Sequence, residues 1–215
     1  MFWKRKTKYE NLKLSLEKEV YEYLKNKGFQ KDAQDLVFKK NTDFGFEIFE
    51  LEYLITSEEL KIGFGLRFNE IEDIYDQIHQ IELPKNSFTI YIDSSQLLYF
   101  KERGKAKFSF NQIDDIKIGI NNVKYIFENF AELYFQRYGS IEKVSNLLNR
   151  KKHQEDLKGN FQFHGTKEDA AINGIIASKI LNEKDIEELK TNHLRWNKSN
   201  KDLKSIFDSI DKLNI

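Results

Sequence analysis

Residues 60–68, LKIGFGLRF, carry the pattern that decides the fold. Apolar side chains occupy every second position from Leu60 to Phe68, which is the spacing of a half-buried β-strand. Gly63 and Gly65 lie between them, so the opposite face of the strand carries little side-chain bulk. The stretch therefore predicts a strand that buries one face.

Other strand-like patterns lie on both sides of this stretch. The alternation in residues 44–55 slips by one position after Ile48, which is typical of a β-bulge. Three more strand-like runs follow, at Phe88–Ile92, Gln96–Lys101 and Lys105–Phe110. Arg103-Gly104 predicts a tight hairpin between the last two of them.

Helical periodicity accounts for most of the remaining chain. Residues 9–27 repeat an apolar side chain every fourth position, and Gly28 is placed to end that helix. A long apolar stripe predicts a second helix from Ile116 to Tyr138. Further helices are predicted at Ile71–Ile78, at Ile141–Leu148 with Ser140 as N-cap, at Thr166–Leu181 with a capping box of Thr166 and Asp169, at Lys184–Trp196 and at Lys201–Leu213.

Together these elements predict an α+β fold. An antiparallel-dominated sheet should pack on the helices at 9–27 and 116–138, and the chain beyond residue 166 should be helical. We predict an α+β domain at residues 1–149 and a helical C-terminal region at residues 161–215 packed on it. Residues 150–160, RKKHQEDLKGN, are polar and without periodicity, which predicts a linker-like loop.

Composition argues against several kinds of site. The chain has no cysteine, and its four histidines show no metal-binding spacing, so we expect neither a metal nor a cofactor. Gly63-Phe64-Gly65 lies inside a strand and is not followed by the helix that a phosphate-binding loop requires. Nucleic-acid binding is disfavoured because the sequence shows no basic stripe.

A membrane location is also disfavoured. No run approaches the roughly 20 apolar residues that a membrane-spanning helix needs. Residues 1–8, MFWKRKTK, are basic but precede a charged amphipathic stretch, which is unlike a secretory signal. We therefore expect a cytoplasmic protein.

Charge is distributed unevenly along the chain. The 35 basic and 35 acidic residues cancel, but residues 41–100 contain twelve carboxylates and three bases, a net charge of −9. A regional excess of this kind bears on partners and encounter rates. We predict a partner-binding surface that contains Glu47, Glu50, Glu52, Glu70, Glu72, Asp73 and Asp76.

Three of these residues lie on the strand at residues 44–55. The apolar side chains claim the buried face on either side of the phase slip, so Glu47, Glu50 and Glu52 should point outward together. We expect their joint replacement by Gln to slow association with the partner without lowering the melting temperature.

Phe161–Thr166, FQFHGT, is similar to the first strand of ADP-ribosyltransferases, in which a His-Gly-Thr segment grips the nicotinamide nucleotide. That family needs several further strands, whereas the residues after Thr166 predict three helices. We therefore interpret His164-Gly165-Thr166 as a strand-to-helix turn with a threonine cap.

The order of features resembles a broad bacterial family of small domains of unknown function, some of which are encoded beside polymorphic toxins as immunity proteins. The resemblance rests on Gly28-Phe29 at the end of the first helix, on residues 60–68, and on Phe130–Leu148, FAELYFQRYGSIEKVSNLL. The small residues Ala170, Ala171, Gly174 and Ala177 fit it as well. It implies no catalytic residues.

The resemblance implies a non-catalytic protein-binding module, an immunity protein that neutralises a basic toxin domain through an acidic surface. Two alternatives remain open. The protein could be a bacterial enzyme with a site assembled from distant residues, or a defence-associated protein whose negative surface is incidental.

Overall fold

The computed structural model describes residues 2–33, 36–81, 87–92, 103–149, 166–198 and 200–213. Within them the strands form one six-stranded antiparallel sheet in the order β1-β2-β3-β4-β5, and β6 pairs with β4. The strands are β1 (Gln30–Lys31), β2 (Val37–Thr42), β3 (Gly45–Leu54), β4 (Glu59–Phe68), β5 (Ile90–Ile92) and β6 (Lys107–Ser109). The helices are α1 (Phe2–Lys25), α2 (Asn69–His79), α3 (Arg103–Ala106), α4 (Asp114–Ile126), α5 (Glu132–Tyr138), α6 (Ile141–Leu148), α7 (Lys167–Ile180), α8 (Ile186–Trp196) and α9 (Leu203–Lys212), and a π-helical turn (Phe127–Ala131) joins α4 to α5.

The predicted fold class is confirmed: the sheet is antiparallel, and the described residues beyond Thr166 form three helices. β4 contains the stretch LKIGFGLRF, and all five of its alternating apolar side chains are fully buried. Gly63 and Gly65 are buried too. The strand is therefore covered on both faces rather than on one.

The tight hairpin predicted at Arg103-Gly104 is wrong. Residues 103–106 form one helical turn, α3, and the strand that follows is only three residues long. Tertiary contacts favour the helical turn, since Ala106 is fully buried and the Lys105 ammonium lies 3.3 Å from the centroid of the Tyr125 ring. The predicted strand Gln96–Lys101 lies outside the described residues.

The long helix predicted from Ile116 to Tyr138 is interrupted. The π-helical turn at Phe127–Ala131 adds one residue to the repeat, so the buried position after Phe127 is Ala131 instead of Phe130. Tyr134 and Tyr138 then continue the buried stripe. In β3, Ile48 and Phe49 are both buried, which agrees with the predicted phase slip; the bulge itself stays a prediction.

The predicted helix ends are confirmed at three places. Gly28 follows α1 with φ of 89°, a conformation that favours glycine. Ser140 Oγ accepts a hydrogen bond from the Lys143 backbone N–H at 3.4 Å. Thr166 and Asp169 form the reciprocal capping box at the start of α7.

The chain divides into two compact units. Unit 1 comprises Met1–Thr42, Glu47–Gly65 and Ile92–Leu133, and unit 2 comprises Asp43–Phe46, Leu66–Tyr91 and Tyr134–Ile215. The partition predicted from the sequence, residues 1–149 against 161–215, is a different one. Its linker at 150–160 and the segment Phe161–Gly165 lie outside the described residues.

Each unit has an apolar core. In unit 1, the ring of Phe127 lies 5.6 Å from those of Phe29 and Phe49, and the apolar face of α1 is buried. In unit 2, every residue of α7 from Ala170 to Ser178 is buried, so this helix is the centre of the helical packing.

Candidate functional site

The three glutamates predicted on β3 do not form an unpaired outward row. The Glu47 side chain is only 15% exposed, and its Oε2 accepts a hydrogen bond from Lys40 Nζ at 3.0 Å. Glu52 is exposed, but its Oε2 lies 3.1 Å from Lys61 Nζ, and Glu50 is half-buried. Lysines therefore offset much of the negative charge that we expected this strand to offer a partner.

The other four predicted carboxylates lie on α2 and differ in exposure. Glu70 and Asp73 are exposed, Asp76 is half-buried, and Glu72 is 2% exposed. The assignment of Glu72 to an exposed binding surface is therefore corrected. Its burial was not evident from the sequence because the residues that compensate its charge lie outside the helix.

Glu72 belongs to a buried network in unit 2. The Thr89 hydroxyl donates to Oε1 at 2.7 Å and the Ser87 hydroxyl donates to Oε2 at 3.2 Å. Arg67, 4% exposed, places Nη1 3.8 Å from Glu72 Oε2 and also donates to Ser87 Oγ. Its Nε donates to Asn69 Oδ1 at 3.2 Å. The network thereby ties the first turn of α2 to the end of β4 and to the residues before β5.

Burial raises the pKa of Glu72 above its ordinary value. The hydrogen bond from Thr89, the charge of Arg67 and the hydrogen bond from Ser87 oppose this without cancelling it, and the charge of Asp76 adds to the rise. Because its pKa is raised in the fold, the stability that Glu72 contributes is complete below its ordinary pKa and is lost as pH rises through the folded value. The hydrogen bond from Thr89 and the charge of Arg67 are the two main effects that favour its ionised form.

Glu70 and Asp73 remain as candidate binding residues, and we call them the α2 carboxylate pair. They are three positions apart and therefore neighbours on the helix surface. Both are exposed, and neither makes an ion pair with any described residue of the chain. They are the predicted site residues whose negative charge is open to a partner.

The helix that carries this pair has a second attachment within unit 2. The Tyr75 hydroxyl donates a hydrogen bond to Asp169 Oδ1 at 3.1 Å, and Asp169 also closes the capping box of α7. Burial raises the pKa of Tyr75, and the charge and hydrogen bond of Asp169 raise it further, followed by the charges of Glu168 and Glu72. The hydroxyl therefore keeps its proton at neutral pH, so it remains a donor and α2 stays attached to α7.

A second polar network in unit 2 was not predicted from the sequence. The side-chain amide of Asn149 donates to Ser145 Oγ at 3.0 Å, to Ser178 Oγ at 2.9 Å and to the Gly174 carbonyl at 3.1 Å. Its Oδ1 lies 2.9 Å from His193 Nε2. We call these five residues the buried polar cluster. It joins α7 and α8 to the end of α6.

The geometry of the buried polar cluster does not suit nucleophilic catalysis. Because His193 Nε2 faces the acceptor Oδ1 of Asn149, it is a donor there and cannot serve as base for a serine. Ser145 Oγ donates instead to Glu183 Oε1 at 2.9 Å. Ser145, Ser178 and His193 are all buried, which closes them to a substrate. The arrangement fits helix packing.

A sequence signal for the cluster does exist. Ser145 and Asn149 are four positions apart, as are Gly174 and Ser178, so each pair shares one helix face. Polar residues on an otherwise apolar face indicate a buried hydrogen-bond network. The sequence alone does not say that these faces meet, and His193 lies 44 positions from Asn149.

A polar groove of about 610 Å³ lies in unit 2 beside the first turns of α7 and α9. Helix N-termini attract anions through free backbone N–H groups, but here side chains already occupy them. Asp169 N–H donates to Thr166 Oγ1 at 2.9 Å, and Asn200 Oδ1 accepts from Asp202 N–H at 2.9 Å and from Leu203 N–H at 3.2 Å. Lys167 and Lys201 are therefore the main groups in this groove that could bind an anion.

Neither a metal-binding cluster nor a membrane-spanning helix occurs in the part of the chain that the structure describes. No three histidine, aspartate or glutamate side chains converge there in a group that could bind a metal ion. No helix there combines the length and the apolar character that crossing a bilayer demands.

Comparison with protein-family models, with curated proteins and with solved structures finds no match to this chain. The resemblance to a family that includes immunity proteins stays a prediction from the sequence. The features of the structure that bear on function are the α2 carboxylate pair and the residues that hold α2 in place.

Proposed function

We propose that this chain is a non-catalytic protein-binding module that captures a cationic protein, such as a basic toxin domain, through the α2 carboxylate pair. The observation that carries the proposal is the contrast among the predicted carboxylates. Glu47 and Glu52 are offset by lysines and Glu72 is buried, whereas Glu70 and Asp73 are exposed without an ion pair among the described residues.

The setting of α2 supports this role. A helix fixed through Glu72 to Arg67 and through Tyr75 to Asp169 presents its exposed carboxylates with little loss of conformational freedom on binding. Complementary charge at such a surface mainly raises the association rate and selects against anionic partners. Both properties suit a protein that must bind a toxin before the toxin acts.

The family resemblance points in the same direction. An immunity protein works in the compartment that its toxin attacks, and we expect this compartment to be the bacterial cytoplasm. Such a protein needs neither a cofactor nor a catalytic group, and the buried polar cluster, which contains serine and histidine, lacks the access that an enzyme would require.

The proposal is tested by affinity purification from the native host, with the wild-type chain and a Glu70→Gln/Asp73→Asn variant as parallel baits. Quantitative mass spectrometry should find a basic protein that the wild type enriches and the variant recovers in much smaller amount. Cross-linking should place that protein beside α2. A partner that is recovered equally by both baits would contradict the proposal.

A further inference from the structure

We infer that the polar groove of unit 2, beside the first turns of α7 and α9, is a binding site for a free α-amino acid in its zwitterionic form. The groove has a volume of about 610 Å³, within the range of about 300–1,000 Å³ that is usual for small-molecule sites. The described residues that line it are all polar or charged, which suits a charged ligand better than an apolar one. They are Lys167, Glu168, Asn197, Asn200, Lys201 and Asp202.

A buried asparagine supplies one group for the ligand. Asn197 is only 8% exposed, so its polar atoms need hydrogen-bond partners. Its backbone N–H and its Nδ2 donate to the His193 carbonyl at 2.9 Å and 3.0 Å, and its own carbonyl accepts from the Asn200 N–H at 2.9 Å. Its Oδ1 is left without a hydrogen bond from any described residue. Because Asn197 lines the groove, this oxygen can accept a hydrogen bond from the ammonium group of a ligand.

Charges of both signs line the groove and do not pair with one another. Lys167 and Lys201 are cations, and Glu168 and Asp202 are anions. None of the four makes an ion pair with any residue that the structure describes. Opposite charges that share a groove without contact leave a gap that a ligand with two charged ends can bridge. The two lysines suit the carboxylate of an amino acid, and the two acidic side chains suit its ammonium group.

This lining favours a zwitterion over an ion with one charge. The side chains of Thr166 and Asn200 already accept hydrogen bonds from backbone N–H groups at the starts of α7 and α9, so a simple anion would have the two lysines and be repelled by the two carboxylates. A simple cation would be repelled by the lysines. A zwitterion meets an opposite charge at each end, and its ammonium group can also donate to Asn197 Oδ1.

The site is tested by nuclear magnetic resonance of the ¹⁵N-labelled full chain, with each standard amino acid added up to about 10 mM. We expect at least one of them to bind with a dissociation constant of about 1 mM or below. Its binding should shift the side-chain amide signals of Asn197 and Asn200. The N-acetyl derivative and the methyl ester of the same amino acid each lack one of its two charges. Both should bind at least about tenfold more weakly than the parent.

Two double variants separate the two ends of the ligand. Lys167→Gln/Lys201→Gln removes the cations of the groove, and Glu168→Gln/Asp202→Asn removes its anions. Each variant should weaken binding of the amino acid at least about tenfold. All four substitutions keep a polar side chain of similar size, and circular dichroism checks that the variants are folded.

Lys184→Gln/Lys212→Gln is the matched control for the lysine variant. Both residues are exposed lysines of unit 2 that do not line the groove, so this variant should bind the amino acid as the wild type does. The inference is overturned if no amino acid binds in this concentration range. It is also overturned if the N-acetyl derivative binds as tightly as the parent, which would indicate a simple anion site, or if the groove variants bind as tightly as the control.

Discussion

Gly174 allows α7 to approach the side chain of Asn149 closely. A Cβ added at Gly174 would lie 2.6 Å from Asn149 Oδ1, well inside van der Waals contact. Asn149 cannot turn away without losing its hydrogen bonds to Ser145, Ser178, His193 and the Gly174 carbonyl. The small residue is therefore a requirement of the buried polar cluster.

We expect Gly174→Ala to lower the free energy of unfolding by about 1–3 kcal/mol, because the clash outweighs the roughly 1 kcal/mol that alanine gains in helix propensity. Gly104→Ala is the control. Nothing lies within 4 Å of a Cβ at that exposed helical position, so we expect no loss of stability. Urea denaturation of both variants measures the difference. Equal stability of Gly174→Ala and the wild type would show that the buried polar cluster accommodates the added methyl group without loss of stability.

Burial of Tyr134 should make the fold less stable at alkaline pH. Its side chain is 1% exposed, and burial raises the pKa of its phenol well above the ordinary value of 10.0, with a smaller contribution from Tyr138. A pKa raised in the fold contributes stability that is complete below the ordinary pKa and is lost as pH rises above it. The free energy of unfolding should therefore fall with pH above about 10, by up to about 1.4 kcal/mol per pH unit for this group.

Tyr134→Phe removes the ionisable group while leaving the ring in place. We expect its free energy of unfolding to fall less steeply between pH 9 and pH 11 than that of the wild type, as measured by guanidinium denaturation across this range. Because the remaining tyrosines are common to both proteins, the difference in slope reports Tyr134 alone. Parallel profiles would mean that Tyr134 does not resist ionisation in the fold.

At the scale of single elements, the sequence predicted the type of most helices and strands and missed what joins them. The alternation in β4, the stop at Gly28 and the capping box at Thr166 act within one segment, so they can be recognised locally. The π-helical turn and the helical turn α3 show no such local pattern; their residues contact distant ones, as Phe127 does with Phe29 and Phe49 and Lys105 with Tyr125. The prediction that Glu72 belongs to the binding surface failed for the same reason, since Arg67 on β4 and Thr89 just before β5 contact it from outside α2.

The role of Arg67 in holding α2 is tested by replacing each of two basic residues of β4 with methionine. Arg67→Met should destabilise the fold by about 3–5 kcal/mol, because it leaves the buried Glu72 without a cation. Lys61→Met should cost only about 0–1 kcal/mol, since its partner Glu52 is exposed. Chemical denaturation at neutral pH compares the two. Similar losses in both variants would contradict the assigned role of Arg67.

At the scale of the whole molecule, the excess of negative charge in residues 41–100 was evident from composition, but its availability to a partner was not. Charge counting treats all carboxylates alike. In the fold, the carboxylates differ in burial and in whether a lysine lies beside them. Of the seven predicted residues, the two of the α2 carboxylate pair are exposed and make no ion pair with a described residue. The partner-binding surface that we propose is thus narrower than the one predicted from the sequence.

The central claim, that the α2 carboxylate pair captures a cationic protein, is tested most directly by the association rate with the partner recovered from the native host, measured against salt concentration. The test variant is Glu70→Gln/Asp73→Asn. The control is Glu142→Gln/Glu188→Gln, which removes two exposed first-turn carboxylates from other helices and changes the net charge equally. We predict that the test variant associates at least about tenfold more slowly at low salt, with a flatter salt dependence, whereas the control matches the wild type. A test variant with the wild-type rate and salt dependence would contradict the claim.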